Sequence, residues 1–163
     1  MENESKRTIL DLSLWVAGLL AGMVLMAHEA IAGGRLAAPP NATWKAECAT
    51  CHIAYPPQLL PAQAWRRMMA QLDRHFGTDA SLGDAKRTEL LAYLEAAAGR
   101  RKASGTARIT EAGWFRKEHA EIAAPTWKST AVRSSANCEA CHQQAATGDF
   151  SERNIRITTK EAR

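Results

Sequence analysis

The pattern C-x-x-C-H occurs twice, as Cys48-Ala49-Thr50-Cys51-His52 and as Cys138-Glu139-Ala140-Cys141-His142. Two thiols with two residues between them on a helical turn can each form a thioether to one vinyl group of the same porphyrin. The histidine that follows then meets the iron from the proximal side. All 4 cysteines of the chain are consumed in these motifs. Such a chain has to fold around two covalently bound haem c groups. Cys48, Cys51, Cys138 and Cys141 are the attachment points, and His52 and His142 the proximal iron ligands.

Other uses of paired cysteines fit less well. A zinc ribbon sets its C-x-x-C knuckles roughly 15–20 residues apart, whereas about ninety residues separate Cys51 from Cys138. A thioredoxin-like pair needs a βαβ context, which the chain does not offer. Two structural disulfides would suit an oxidising compartment but leave the repeated histidine unexplained.

The N-terminus is that of an exported protein. Lys6 and Arg7 precede a mainly apolar run from about Leu12 to Ala27, and Ala30-Ile31-Ala32 offers small residues before Gly33. Covalent haem attachment takes place outside the bacterial cytoplasm, so periplasmic export is expected. Sixteen helical residues rise about 24 Å, short of a roughly 30 Å hydrocarbon core. Extending the run meets Asp11 on one side and His28 and Glu29 on the other, all costly in lipid. A signal peptide over residues 1–32 is favoured. The rival is a retained anchor over residues 9–32, in which Gly18 and Gly22 have the spacing of packed membrane helices.

The remainder is expected to hold a first haem c domain over 33–104 and a second over 105–163. Aromatic content is 6% and no alternating strand pattern appears before the last dozen residues. The expected fold is therefore all-α, a small helical protein with the haems forming much of the core. Over residues 33–163, 19 Lys and Arg against 13 Asp and Glu give a charge of +6, which four propionates would reduce. This suits steering toward an acidic protein partner. Nucleic acid is not expected, because the basic residues are scattered with no aromatic stacking platform among them. Arg100-Arg101-Lys102 reads as a solvated helix end.

Along the chain, a helix from about Thr43 to Ile53 should carry the first motif and stop at Tyr55-Pro56-Pro57. Pro61 suits the first turn of a second helix, whose apolar stripe runs through Trp65, Met68, Met69, Leu72 and Phe76 to a stop at Gly77. Ser81 is expected to cap a third helix with Leu90, Leu91, Tyr93 and Leu94 facing inward. Residues 99–105 read as a linker. A fourth helix, opened by Thr110, holds Trp114, Phe115, His119 and Ile122. A looser region after Pro125 leads to a short helix with the second motif, and residues 151–159 to one extended segment.

The sixth iron ligand separates a carrier from a catalyst. Of 5 histidines, two are proximal and His28 lies in the export segment, which leaves His75 and His119, one in each haem half. A lone histidine on a helix is ordinarily a surface or satisfied core residue. Here two irons and two spare histidines in the correct halves favour bis-His ligation of both haems. His119 follows Phe115 by one turn, so the two rings share a face. Met68 is the rival ligand, but it lies on the apolar stripe, where methionine usually packs. The second half contains no methionine. Two imidazoles lower the potential relative to Met/His, so two low-potential, low-spin haems are expected. Trp65, Trp114 and Phe115 are candidates to pack on the macrocycles, with a plain core role as the alternative. Tyr55 is a candidate donor to a propionate.

The run Cys51-His52-Ile53-Ala54-Tyr55-Pro56-Pro57-Gln58-Leu59-Leu60-Pro61, with Trp65 and His75-Phe76-Gly77, closely resembles the small dihaem cytochrome c family of bacterial periplasms. Tyr93-Leu94, Arg108-Ile109-Thr110, Trp114-Phe115, Glu118-His119 and Asn137-Cys138 add to the likeness, which spans roughly residues 44–150. The resemblance implies an N-terminal half like a class I cytochrome c and bis-His ligation with His75 and His119 in the distal roles. It also implies electron delivery between a membrane cytochrome b and a small soluble haem protein.

One-electron transfer between redox partners follows as the expected function, with no enzymatic activity and no catalytic dyad or triad. One alternative is a haem enzyme or gas sensor with one five-coordinate haem, disfavoured by the spare histidine available to each iron. Another is a dihaem subunit fixed to a larger membrane complex, which requires that residues 1–32 be retained.

Overall fold

The computed structural model describes residues 34–101 and 105–156. The signal or anchor segment, part of the 99–105 linker and the end of the tail lie outside the described residues. Five short α-helices joined by 3-10 turns make up the described residues, and no strand occurs among them beyond isolated bridges. The all-α expectation therefore holds.

Helix α1 spans Ala42–Cys48. It starts where Asn41 turns its side chain onto the Trp44 N–H at 2.7 Å, satisfying one of the free donors of a helix start. It ends at Cys48, not near Ile53 as expected. Ala49 closes it by donating to Lys45, so the first C-x-x-C-H begins on the helix and finishes on the turn beyond.

Helix α2 (Ala62–Met69) is likewise shorter than its apolar stripe suggests. Pro61 stands before the helix in an extended conformation, with its carbonyl accepting from Ala64 and Trp65. After Met69 the chain tightens into a 3-10 turn over Leu72–Arg74, where the Leu72 carbonyl accepts from both His75 and Ala80. The turn keeps Leu72 against the core while releasing His75 from helical geometry.

Helix α3 (Asp84–Ala96) begins after Gly83 and not at Ser81. The Asp79 carboxylate takes the Ser81 N–H at 2.9 Å, and that local turn sets the chain short of the helix start. The core lies chiefly between α2 and α3. Leu60, Ala64, Trp65, Met69, Leu90 and Leu94 are buried, with Trp44, Met68, Leu72 and Tyr93 packed around them. Leu60 and Leu90 are 0% exposed, and burying such side chains is worth about 1.5–3 kcal/mol each. Lys86 on α3 pairs with Glu47 on α1, and Glu95 with Arg66 on α2.

The remaining helices are α4 (Gly113–Glu118) and α5 (Ala124–Lys128). Thr110 sits in a 3-10 turn (Ile109–Glu111), and α4 starts only after Ala112. Pro125 occupies the first turn of α5, where its missing N–H costs nothing, so the stretch expected to be loose opens with a turn of helix and is irregular over 129–137. The second motif begins on a 3-10 turn, Cys138–Ala140. In the tail, Ile155 pairs with His142 in an antiparallel bridge and Arg156 N–H donates to Cys141 at 2.9 Å. The tail thus clamps the second motif.

Residues 35–39 strap early and late parts of the chain. Tyr93 donates to Pro39 and Gln58 to Ala37, while the Leu36 N–H donates to Gly148 at 2.7 Å. Gly148 has φ 78, and a Cβ there would stand 2.4 Å from the Leu36 carbonyl oxygen. Gly148→Ala is expected to lose at least the roughly 1–2 kcal/mol of the left-handed penalty. Thermal denaturation of the holoprotein is the check.

Candidate haem sites

The four sequence-predicted histidines come together in two pairs that follow chain order. The His52 and His75 rings lie 6.1 Å apart between centroids and are tilted by 31°. Those of His119 and His142 lie 6.2 Å apart at 80°. A metal–imidazole bond is about 2 Å and each nitrogen lies about 1 Å from its ring centre, so two imidazoles sharing one metal stand about 6 Å apart. Both pairs have the spacing of axial ligands, and the residues present fit two haems.

Backbone carbonyls fix one ring in each pair. Nδ1 of His52 lies 2.7 Å from the Ile53 carbonyl oxygen, and Nδ1 of His119 lies 2.8 Å from that of Phe115. A carbonyl can only accept, so Nδ1 carries the proton in both rings and Nε2 is left with its lone pair for a metal. The surroundings of His75 and His142 act on their imidazole pKa values. Burial, followed by the neighbouring His52 and Arg108, lowers the pKa of His75. Burial and then His119 lower that of His142, against a smaller opposing pull from Asp149. Nδ1 of His142 is buried without a hydrogen-bond partner, so packing orients that ring.

Aromatic rings surround the second pair. Phe115 stacks on His119 at 4.1 Å, Trp127 stands 5.8 Å from the same imidazole, and Phe150 lies 5.4 Å from His142. Phe115 was legible in the sequence through its one-turn spacing from His119. Trp127 and Phe150 were missed, and only an aromatic census near the second motif could have pointed to them.

Around the first pair, Phe76 follows His75 at φ 50, a left-handed conformation that a bulky residue rarely adopts. The Leu72 and Thr78 hydrogen bonds to the His75 backbone hold this bend, and the Arg108 guanidinium lies 4.2 Å from the Phe76 ring centre. Strain of this kind persists where the surroundings over-determine it, often at functional sites. Phe76 is 49% exposed, so the last member of the expected apolar stripe leaves the core.

Among the other candidates, Met68 packs as expected and Trp65 takes the core alternative. Trp65 is a core residue whose Nε1–H donates to the Pro57 carbonyl at 2.8 Å. Met68 and Met69 pack in the same core. Trp114 meets Phe115 edge-on, with the Arg101 guanidinium 4.5 Å from its ring centre. The Tyr55 phenol donates to the Ala136 carbonyl at 2.6 Å, and burial pushes its pKa up to about 12.

No disulfide joins any of the four cysteines, so all of them are available for thioether bonds. Before attachment, burial pushes the thiols of Cys48 and Cys138 up to about 11. Asn137 Nδ2 donates to the Val132 carbonyl at 3.0 Å and braces the loop that enters the second motif.

The chain is similar to proteins of known family and structure. The family model for dihaem cytochrome c (DHC) matches residues 44–150. No curated protein matches. Among solved structures, DHC purified from Rhodobacter sphaeroides is 43% identical with a TM-score of 0.62, covering 70% of this chain and 100% of its own. The diheme cytochrome type c from Shewanella baltica OS155 is 38% identical with a TM-score of 0.66, covering 73% of this chain and 94% of its own. With two C-x-x-C-H motifs, paired imidazoles and a family match over most of its length, the chain belongs to the dihaem cytochrome c family and carries two covalently bound haem c groups.

Proposed function

We propose that this protein is a periplasmic carrier of single electrons whose two haems are both bis-His ligated and of low potential. Each haem, once bound, supplies a one-electron ferric/ferrous couple. The chain does the rest. Cys48 and Cys51 anchor one group in the 33–104 half, Cys138 and Cys141 the other in the 105–163 half. His52 and His75 ligate the first, and His142 and His119 the second. The spacing of the imidazole pairs, 6.1 and 6.2 Å, is the observation that carries this reading. The Ile53 and Phe115 carbonyls orient the rings they hold and leave Nε2 for the metal. Met69 is buried in the core and Met68 packs against it, which favours histidine over methionine as the sixth ligand. The excess of basic residues suits acidic redox partners. By analogy with the family, these are a membrane cytochrome b and a small soluble haem protein.

Visible absorption and low-temperature EPR of the holoprotein, with and without carbon monoxide, test the ligation. Two low-spin haems that ignore carbon monoxide are expected. Parallel axial imidazoles split the metal d orbitals strongly and perpendicular ones do not. The 31° and 80° tilts therefore predict a rhombic signal from the first haem and a highly anisotropic one from the second. A high-spin fraction that binds carbon monoxide would overturn the reading.

A further inference from the structure

We propose that Tyr55 is a positioning residue that ties the first haem site to the second and carries the electronic coupling between them. This rests on the assignment of His52 and Cys138 to the two haems. The Tyr55 ring stacks on the His52 imidazole at 4.6 Å with a 25° tilt. Its hydroxyl donates at 2.6 Å to the carbonyl of Ala136, a residue 81 positions away. That carbonyl also accepts from the Cys138 N–H at 3.1 Å, and the Cys138 thiol lies 3.7 Å from it. One side chain therefore touches an axial ligand of one haem and the backbone that presents the thioether of the other.

The residue is also held firmly. Pro56 restricts the Tyr55 backbone to extended conformations. Pro57 is buried, and its carbonyl is fixed by the Trp65 indole in the core. Little conformational freedom remains to be lost when the phenol meets Ala136. Electronic coupling falls steeply across empty space, so a stack, a hydrogen bond and a few covalent bonds form a better route than a gap. Along it one haem is oxidised as the other is reduced. Tyr55 keeps its proton and its electrons throughout.

The test uses holoprotein carrying Tyr55→Phe, which keeps the stack, and Tyr55→Leu, which removes both contacts. The Tyr55 hydroxyl is not deeply buried, so water can take its place on the Ala136 carbonyl and the phenylalanine variant should fold. Three quantities are read: EPR of each haem, the bisignate Soret circular dichroism that reports inter-haem orientation, and the rate of electron redistribution after flash reduction of one haem. In Tyr55→Phe both low-spin signals should persist while the redistribution rate falls several-fold and the Soret couplet changes. Tyr55→Leu should show the larger loss. A wild-type rate and couplet in Tyr55→Phe would overturn the proposal, even if its thermal midpoint fell, because packing alone would then explain the residue. A high-spin haem in the unmutated protein would overturn the ligation instead, and this inference with it.

Discussion

Replacing His75 with alanine is expected to turn the first haem from low-spin to high-spin and to let it bind carbon monoxide when ferrous. The imidazole stands 6.1 Å from that of His52, and the groups nearest to it cannot take its place. Phe76 has no donor atom, and Arg108 keeps its proton at any working pH. Met68 and Met69 belong to the core and would have to leave it to reach the metal, at a cost comparable with unpacking a buried side chain. Half of the low-spin EPR intensity should be lost, the rhombic half, while the signal from the His119–His142 haem remains. His75→Met should keep a sixth ligand and raise the potential of that haem alone. If His75→Ala remained low-spin and indifferent to carbon monoxide, the distal ligand would have to be another residue.

Much of this site could be read from the sequence, because covalent chemistry constrains spacing more tightly than folding does. Two vinyl groups demand two thiols at a fixed interval and a histidine next to them, so Cys48 to His52 and Cys138 to His142 are legible without any knowledge of the fold. His75 and His119, the proposed distal residues, follow from counting histidines. Helix ends were less legible. The stripe from Trp65 to Phe76 fits one helix, yet α2 stops at Met69, since a 3-10 turn keeps Leu72 near the core at almost the same spacing. Ser81 has the residue type of a helix cap, but its N–H donates to the Asp79 carboxylate in a turn that ends before the helix starts after Gly83. The Tyr55–Ala136 hydrogen bond leaves no local pattern, because the acceptor is a backbone carbonyl that any residue would supply.

Leu90→Ala should be the most damaging change in the core, and the two haems should respond to it unequally. Leu90 is fully buried among Leu60, Ala64, Trp65, Met69 and Leu94, and truncating such a leucine costs about 2–5 kcal/mol. Total stabilities of about 5–15 kcal/mol leave little margin for that loss. The damage should pass along a defined route. Trp65 anchors the Pro57 carbonyl, the Pro56-Pro57 segment follows Tyr55 and the first motif, and Leu72 sets the turn that places His75. A loosened core should therefore relax the His52–His75 pair first. His119 and His142 rest on other contacts, chiefly Phe115, Phe150 and the Ile155 bridge, and should hold to higher temperature. Following the two haem signals during thermal unfolding of Leu90→Ala should show the rhombic low-spin form disappearing first. Simultaneous loss of both would mean instead that the strap through Leu36 and the Tyr55–Ala136 hydrogen bond make the halves unfold as one.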